Sequence, residues 1–316
     1  MPLCYIGVDT SNYTTSVAVV NGAGEVVANL KAPLPVAAGA RGLRQSDAVF
    51  AHTKNLPVLL DRLGDILKDY TPAAVCVSDR PRGAEDSYMP CFLSGVVAAR
   101  AIAAARGIPL YTTSHQEGHL MAALYSSGAP LVAGKSFGAF HVSGGTTEML
   151  LATPNATAFT VEKIGGTADL NAGQAIDRIG VLMGLAFPAG PALEALAMEN
   201  DKPVPRPRIS VREGTCHISG LENMAATLYN ETGDKPLVAA FVLRFIGDTL
   251  CAMATHLRET HGDIPLVFAG GVMSNRIIAA SLRERLGAGV YFAEPAFSAD
   301  NAAGVALLCR AMAAQL

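Results

Sequence analysis

The chain has 316 residues, 50% of them hydrophobic, with 24 lysines and arginines against 27 aspartates and glutamates and a formal net charge of −3. This length accommodates two domains of ordinary size or one large α/β unit. The charge balance excludes a global positive field that would attract nucleic acid, so any RNA contact must come from a local patch or from a partner protein.

The N-terminus and the cysteines indicate where the protein resides. The first residues lack a basic region followed by an apolar block and a small-residue cleavage site, and no uninterrupted apolar run is long enough to span a bilayer. We therefore expect a cytoplasmic protein with no membrane association. The cysteines are scattered without Cys-X-X-Cys pairing, which predicts buried thiols and no disulfide framework: Cys4, Cys76, Cys91, Cys216, Cys251 and Cys309.

The first part of the chain predicts a β-meander followed by alternating helices and strands. Apolar, β-rich runs cover residues 3–9 and 14–20, and a third begins at 25–27. The elements predicted next are a helix over 47–67, a buried strand at 73–77, a helix over 93–105 and a strand at 108–113. The order βββαβαβ is that of one layered α/β half.

The pattern then restarts. Three strands are predicted at 138–142, 148–152 and near 159–161, then helices over 171–183 and 191–198 and a proline-rich basic loop over 201–213. The remaining predicted elements are helices over 221–229 and 237–257, a strand at 265–268, a helix from 274, a strand at 290–292 and a helix over 299–314. The two tandem units predict an internal structural repeat with a ligand site in the cleft between the halves.

Residues 114–119, Ser-His-Gln-Glu-Gly-His, open a predicted helix after a short apolar run. If Ser114 caps this helix, His115 and His119 lie one turn apart on the same face, where both imidazoles can reach one divalent ion. The alternative is one exposed and one packed histidine, and the pair alone does not decide between them. A zincin-type peptidase is disfavoured because Glu117 stands two residues after the first histidine, whereas that helix needs it immediately after.

Two glycine turns, 143–147 and 269–271, each follow an apolar strand. There the backbone can approach an anion closely and direct N–H groups at it, although such turns commonly serve geometry alone. Asp300 begins the last predicted helix and is either its cap or a third ligand to a metal held by the histidine pair. His141, at the end of a strand before the first glycine turn, is either a further ligand or a packed histidine.

Seven separated motifs, in this order, resemble the TsaD family, the tRNA threonylcarbamoyladenosine synthases. They are His-Gln-Glu-Gly-His at 115–119, Val-Ser-Gly-Gly-Thr-Thr at 142–147, Gly-Gln-Ala-Ile-Asp-Arg at 173–178, Phe-Pro-Ala-Gly-Pro-Ala-Leu-Glu at 187–194, Ser-Gly-Leu at 219–221, Ala-Gly-Gly-Val-Met-Ser-Asn at 269–275 and Ser-Ala-Asp-Asn-Ala-Ala at 298–303. The resemblance implies an α/β fold, the duplicated two-lobed fold of actin, Hsp70 and sugar kinases with βββαβα units. We expect one lobe over 1–107, completed by the C-terminal helix at about 296–316, and a second over 108–295.

The resemblance also implies an activity, metal-dependent transfer of a threonylcarbamoyl group from threonylcarbamoyl-adenylate to a tRNA adenosine next to the anticodon. It makes His115, His119 and Asp300 the ligands of one divalent ion, with iron or zinc expected. The residues that it implies for the adenylate or ATP-type nucleotide are His141, Val142, Ser143, Gly144, Gly145, Asp177, Gly190, Glu194 and Asn275. It assigns no catalytic residue, and the expected partners are tRNA and TsaB-like and TsaE-like proteins.

The chain departs from the family pattern most at two places, with smaller changes at Gln174, Ala189 and Glu222. The first strand turn of the family carries Thr-Ser-Cys-Asp-Glu-Thr, whereas Asn12, Tyr13 and Thr14 stand here in place of Cys-Asp-Glu. A family glycine-rich loop is replaced by residues 80–86, Arg-Pro-Arg-Gly-Ala-Glu-Asp. These changes leave two alternatives open, a carbamoyl-type transferase with a different acceptor and a non-catalytic nucleotide-binding partner of a true family member.

Overall fold

The computed structural model describes residues 1–11, 13–35, 43–84, 86–129, 135–155, 159–298 and 302–314. The chain forms two compact units. The first comprises Met1–Tyr125, Pro154–Thr160 and Ala299–Leu316, and the second comprises Ser126–Thr153 and Val161–Ser298.

The elements follow the alternation read from the sequence. The first group is β1 (Leu3–Ser11), β2 (Thr14–Asn21), β3 (Val26–Pro33), α1 (Gln45–Ile66), β4 (Thr71–Arg80), α2 (Phe92–Arg106), β5 (Leu110–Ser114) and α3 (His115–Ser127). The second group is β6 (Phe137–Val142), β7 (Thr147–Pro154), β8 (Phe159–Thr167), α4 (Ala172–Leu182), α5 (Gly190–Met198), β9 (Ser210–Arg212), β10 (Thr215–His217), α6 (Gly220–Thr232), α7 (Lys235–His261), β11 (Leu266–Ala269), α8 (Arg276–Leu286), β12 (Val290–Phe292), α9 (Pro295–Ser298) and α10 (Ala303–Ala313).

The first unit is built on a five-stranded sheet in the order β3-β2-β1-β4-β5. β1 pairs antiparallel with β2 and parallel with β4, which in turn pairs parallel with β5. The central strand β1 is buried along most of its length, as the apolar run at residues 3–8 predicts. Since β1, β4 and β5 run parallel, their carboxyl ends meet at one edge of the sheet.

Helix α10 packs against the centre of this sheet because β1 has a glycine there. A Cβ atom on Gly7 would lie 2.4 Å from the backbone nitrogen of Ala306 and 2.5 Å from the carbonyl oxygen of Ala302. The C-terminal helix therefore belongs to the first unit, in direct contact with its first strand.

The second unit contains a seven-stranded sheet in the order β12-β11-β6-β7-β8-β10-β9. β6 and β11 run parallel, so the turns that follow them lie side by side, with Ala269 opposite His141. The core of this unit packs around α7, whose N-terminus is capped by the Asp234 side chain. Among the described helices, α7 alone is long and apolar enough to cross a membrane. However, 78% of its most apolar 18-residue stretch is buried inside the protein. This burial identifies α7 as a core helix.

Two differences from the sequence-based expectations have clear physical causes. The second part of the loop predicted over 201–213 forms the short strand β9, which pairs with β10 to make a hairpin. β9 is only three residues long and largely exposed, so it leaves no hydrophobic pattern. The first unit also extends to Tyr125 rather than 107, since β5 pairs with β4 and α3 follows β5 directly.

Candidate functional site

The predicted histidine pair lies at the start of α3, at the carboxyl end of β5. Ser114 caps this helix as expected: its hydroxyl accepts a hydrogen bond from the Glu117 backbone N–H at 3.2 Å. The Glu117 carboxylate in turn accepts hydrogen bonds from the Ser114 N–H at 2.7 Å and from the Thr113 hydroxyl at 2.8 Å. This capping box fixes the first turn of α3 and with it the two imidazoles.

The imidazoles of His115 and His119 face each other, with 2.9 Å between their Nε2 atoms and 4.3 Å between ring centroids. Nitrogen ligands lie about 2.0–2.1 Å from a zinc ion, so two nitrogens that share one ion are at most about 4.2 Å apart. The observed spacing fits shared coordination of one ion. The side chains are partly buried, and neither is simply a packed core residue.

Asp9 orients the first of these imidazoles. This fully buried residue, near the carboxyl end of β1, accepts a hydrogen bond from Nδ1 of His115 at 3.0 Å and another from the Ser78 hydroxyl. A carboxylate accepts only, so Nδ1 carries the proton and the lone pair of neutral His115 lies on Nε2, facing His119. Carboxylate–histidine pairs of this kind orient metal-binding imidazoles and raise their basicity.

A third histidine, His52, lies in the same region and was not singled out from the sequence. His52 on α1 is fully buried, and its Nδ1 atom lies 2.8 Å from the Thr15 hydroxyl. Asn55 donates to the same hydroxyl at 3.1 Å. Burial lowers the pKa of His52, while the Ser11 backbone and the charge of Asp9 act in the opposite direction. The sequence signal for His52 is weak, since a lone histidine on a helix is usually structural.

The third predicted metal ligand, Asp300, lies outside the described residues. Within the described ranges, no group of three or more His, Cys, Asp or Glu side chains is placed to hold an ion. The described structure therefore brings together two members of the predicted set, His115 and His119. Together with the carboxylate behind His115, this donor set suits a divalent transition metal.

The second unit brings its predicted anion-binding turns together at the carboxyl ends of β6 and β11. Val142 is fully buried, and a Cβ on Gly270 would lie 2.3 Å from its carbonyl oxygen. The two turns can therefore be in contact only because residue 270 is a glycine. The Ser143 hydroxyl accepts a hydrogen bond from the Gly145 N–H at 3.3 Å, so part of this turn satisfies itself. Added Cβ atoms at Gly144 and Gly145 would meet nothing within 4 Å, which leaves open space against this backbone.

The carboxylates predicted to hold a nucleoside are partly buried and each binds a backbone N–H group. Asp177 accepts from the Ala189 N–H at 2.8 Å, just before Gly190, and Glu194 accepts from the Arg276 N–H at 2.9 Å. Asn275 caps α8 through a 3.0 Å hydrogen bond from the Ile278 N–H. These contacts join α4 to the beginning of α5, and α5 to the beginning of α8. A carboxylate that accepts one such bond retains acceptor capacity for a ribose hydroxyl.

Comparison with known proteins identifies the family. A family model described as TsaD, tRNA N6-adenosine threonylcarbamoyltransferase, matches residues 47–307. The chain belongs to the TsaD family. Within this family, the tRNA N6-adenosine threonylcarbamoyltransferase of Prochlorococcus marinus is 31% identical over 282 residues, which cover 82% of this chain and 76% of that protein.

Solved structures confirm the fold class predicted for this TsaD family member. HypF from T. kodakarensis is similar with a TM-score of 0.63 at 13% identity, over 98% of this chain and 47% of that one. A ROK family glucokinase from Streptomyces griseus has a TM-score of 0.50 at 15% identity, over 96% of this chain and 98% of the glucokinase chain. The α/β fold of the actin, Hsp70 and sugar-kinase type is therefore established.

The described residues of the two main departures from the family pattern lie at the surface of the first unit. In the turn between β1 and β2, Tyr13 is 45% exposed and Thr14 begins β2, while Asn12 lies outside the described residues. In the loop at 80–86, Arg80 pairs with the adjacent Asp79, and residue 85 is not among those described. An exposed aromatic residue, Tyr13, thus stands where the family has the first residue of its acidic pair.

Proposed function

We propose that the protein catalyses metal-dependent transfer of a threonylcarbamoyl group from threonylcarbamoyl-adenylate to an adenosine of tRNA next to the anticodon. Membership of the TsaD family and the name of the Prochlorococcus relative support tRNA modification by a transferase. The structural observation that carries the metal-dependent part is the 2.9 Å approach of the two Nε2 atoms, with Asp9 hydrogen-bonded to the opposite nitrogen of His115.

The residues have distinct roles in this proposal. His115, His119 and Asp300 would hold one divalent ion, iron or zinc, and such an ion polarises a carbonyl or phosphoryl oxygen when bound. Asp9 keeps His115 in the tautomer whose Nε2 is free of a proton. In the second unit, the open backbone at Gly144 would supply an N–H group suited to an anionic oxygen.

The nucleoside of the donor is assigned to the second unit. Asp177 and Glu194 would accept hydrogen bonds from ribose hydroxyls, because each carboxylate uses only part of its acceptor capacity on a backbone N–H. Gly190 and Asn275 belong to the same set. tRNA and TsaB-like and TsaE-like partner proteins remain predictions that follow from the family, and a cytoplasmic location remains a prediction from the sequence.

Metal analysis tests the first step. Purified protein reconstituted with Fe²⁺ or Zn²⁺ should hold about one ion per chain by elemental mass spectrometry, and His115→Ala or His119→Ala should abolish this binding. Asp9→Asn should weaken the metal affinity by about 10–100-fold, because the imidazole loses its orienting carboxylate. His261→Ala, at the exposed end of α7, is the control and should bind metal normally. Equal metal content in all variants would contradict the assignment.

The transfer itself is tested with synthetic threonylcarbamoyl-adenylate, unmodified tRNA and the partner proteins, with nucleoside mass spectrometry as the readout. Threonylcarbamoyladenosine in the tRNA supports the proposal. Consumption of the donor without modified tRNA would instead favour a different acceptor, the alternative that the altered β1–β2 turn leaves open. No consumption at all, together with unchanged function of the His115→Ala variant in cells, would favour a non-catalytic partner.

A further inference from the structure

An open pocket of about 570 Å³ lies in the second unit, over α7 and between α5 and α8. Residues at four-residue intervals face it from two helices. From α8 these are Ile277, Ser281 and Arg285, and from α7 they are Ala240, Arg244 and Asp248. This spacing places each set along one face of its helix.

The pocket concentrates positive charge in a protein whose overall charge is negative. It is lined by Arg206, Arg244 and Arg285 against a single acidic residue, Asp248, which gives it a formal charge of +2. Within the described residues, Arg206 forms no salt bridge and lies exposed on the proline-rich loop. The pocket therefore supplies the local patch that a chain with net charge −3 needs to attract a polyanion.

Two of the guanidinium groups are held in place by protein contacts. Arg285 donates to Asp248, and Nε of Arg244 lies 3.8 Å from the other oxygen of that carboxylate. Arg244 also donates from Nη1 to the carbonyl oxygen of Val204 at 2.7 Å. The side chains of Arg244 and Arg285 nevertheless stay 42% and 41% exposed. They are pre-positioned and still open to a ligand.

We propose that this pocket binds backbone phosphates of RNA, namely of the tRNA that accepts the transferred group. The choice of tRNA rests on the proposed function. Arginine binds phosphate oxygens through paired N–H groups, and the half-exposed guanidiniums suit a polymer that passes over the surface better than a small anion, which a pocket normally encloses. The pocket also begins within one helical turn of the predicted nucleoside residues, since Ala197 follows Glu194 by three positions and Ile277 follows Asn275 by two.

The test measures binding of unmodified tRNA to the full-length protein, with its partner proteins added, as a function of salt. Arg206→Gln should weaken binding about 3–10-fold at about 100 mM salt and lower the slope of log affinity against log salt by about one, because one phosphate contact is lost. Arg244→Gln should act in the same direction. The matched control is Arg208→Gln, an exposed arginine on the same loop that does not line the pocket, and it should change little.

Three binding results would overturn the proposal that the pocket binds tRNA. Equal losses with Arg206→Gln and Arg208→Gln would reduce the effect to diffuse attraction and overturn the proposal. It would also be overturned if wild-type protein bound no tRNA, or if Arg206→Gln weakened binding of ATP or pyrophosphate while leaving tRNA binding intact, which would assign the pocket to a free nucleotide. Selective loss of tRNA binding supports the pocket even when wild-type protein transfers nothing, so a failed transfer reaction is distinguishable from a failed site.

Discussion

At the scale of single residues, the polar groups at the end of β1 set the chemistry of the first unit. Asp9 is fully buried and accepts from His115 and Ser78, and Thr15 and His52 are buried nearby in contact with each other. Buried polar groups cost free energy unless they are hydrogen-bonded, so each partner in this cluster restricts the positions of the others. The imidazole of His115 therefore owes its orientation to β1, 106 positions away in sequence.

These long-range contacts explain which site residues the sequence could predict. The pair of His115 and His119 follows from spacing along one helix, which is a local property. Asp9 and His52 contribute only after β1, β4 and α1 have been assembled, and neither carries a local motif. The signal that was available for Asp9 is its place just after the apolar part of a strand, at the carboxyl edge where parallel strands of α/β proteins collect ligand-binding residues.

His52 provides a prediction about pH. Burial lowers its pKa in the folded protein below the ordinary value of 6.5 that the unfolded chain regains. Its contribution to stability is therefore complete above pH 6.5 and is lost as the pH falls from 6.5 through the lowered folded-state pKa, because the unfolded chain takes up the proton first. His52→Gln should cost about 1–3 kcal/mol at pH 7.5 through the lost contact to Thr15. In urea unfolding, the variant should also lose less stability than wild type between pH 7.5 and pH 5, because it lacks the histidine whose pKa is lowered. Parallel losses in both proteins would contradict this account.

At the scale of elements, hydrophobic periodicity predicted the long helices and the buried strands. The short strands and the close contacts of α10 depend on tertiary packing, which periodicity does not show. α1 was expected over 47–67 and is observed at Gln45–Ile66, and α7 was expected over 237–257 and is longer, at Lys235–His261. The hairpin of β9 and β10 was not predicted because its strands are three residues each, and the single buried residue Cys216 is too little to form an alternating pattern. The glycines that let α10 pack closely also carry no local signal, since their role depends on a distant partner.

Two glycine substitutions should change stability in opposite directions, and only the first of them disturbs the packing of α10. A Cβ on Gly304 would lie 1.8 Å from the carbonyl oxygen of Gly118 in α3, so Gly304→Ala must displace α10 and should destabilise the protein by about 1–3 kcal/mol or more. Gly64 lies exposed within α1, where an added Cβ meets nothing within 4 Å, and Gly64→Ala should stabilise by about 0.5–1 kcal/mol. Chemical denaturation measures both, and a loss of stability in both variants would show that the contact at α10 is not the cause.

At the scale of the whole molecule, the predicted residues divide between the two units. The histidine pair and its carboxylate belong to the first, and the glycine turns and nucleoside residues belong to the second. The family resemblance predicted the fold class because its motifs are spread over most of the chain, whereas composition alone allowed only an α/β protein of one or two domains. Neither could predict the arginine pocket, which α7, α8 and the loop after α5 form together in the second unit.

The cysteines allow the stability of each unit to be followed separately. Cys4, Cys91 and Cys309 lie in the first unit and Cys216 and Cys251 in the second, all free and buried. Burial raises the pKa of Cys4, Cys91 and Cys216 to about 11, and only the thiolate reacts with a disulfide reagent. Native protein at pH 8 should therefore react very slowly with such a reagent, whereas denatured protein should react at once.

Labelling followed by peptide mass spectrometry turns this difference into a test of the whole molecule. In Gly304→Ala, which disturbs α10, Cys309 and Cys4 should react several times faster than in wild type, because that helix packs on the strand that contains Cys4. Cys216 and Cys251 should keep the wild-type rate if the second unit keeps its structure. Gly64→Ala is the control and should accelerate none of them. Uniform acceleration of every thiol would mean that the chain opens as a single cooperative body, and rapid labelling of native wild type would contradict the buried positions themselves.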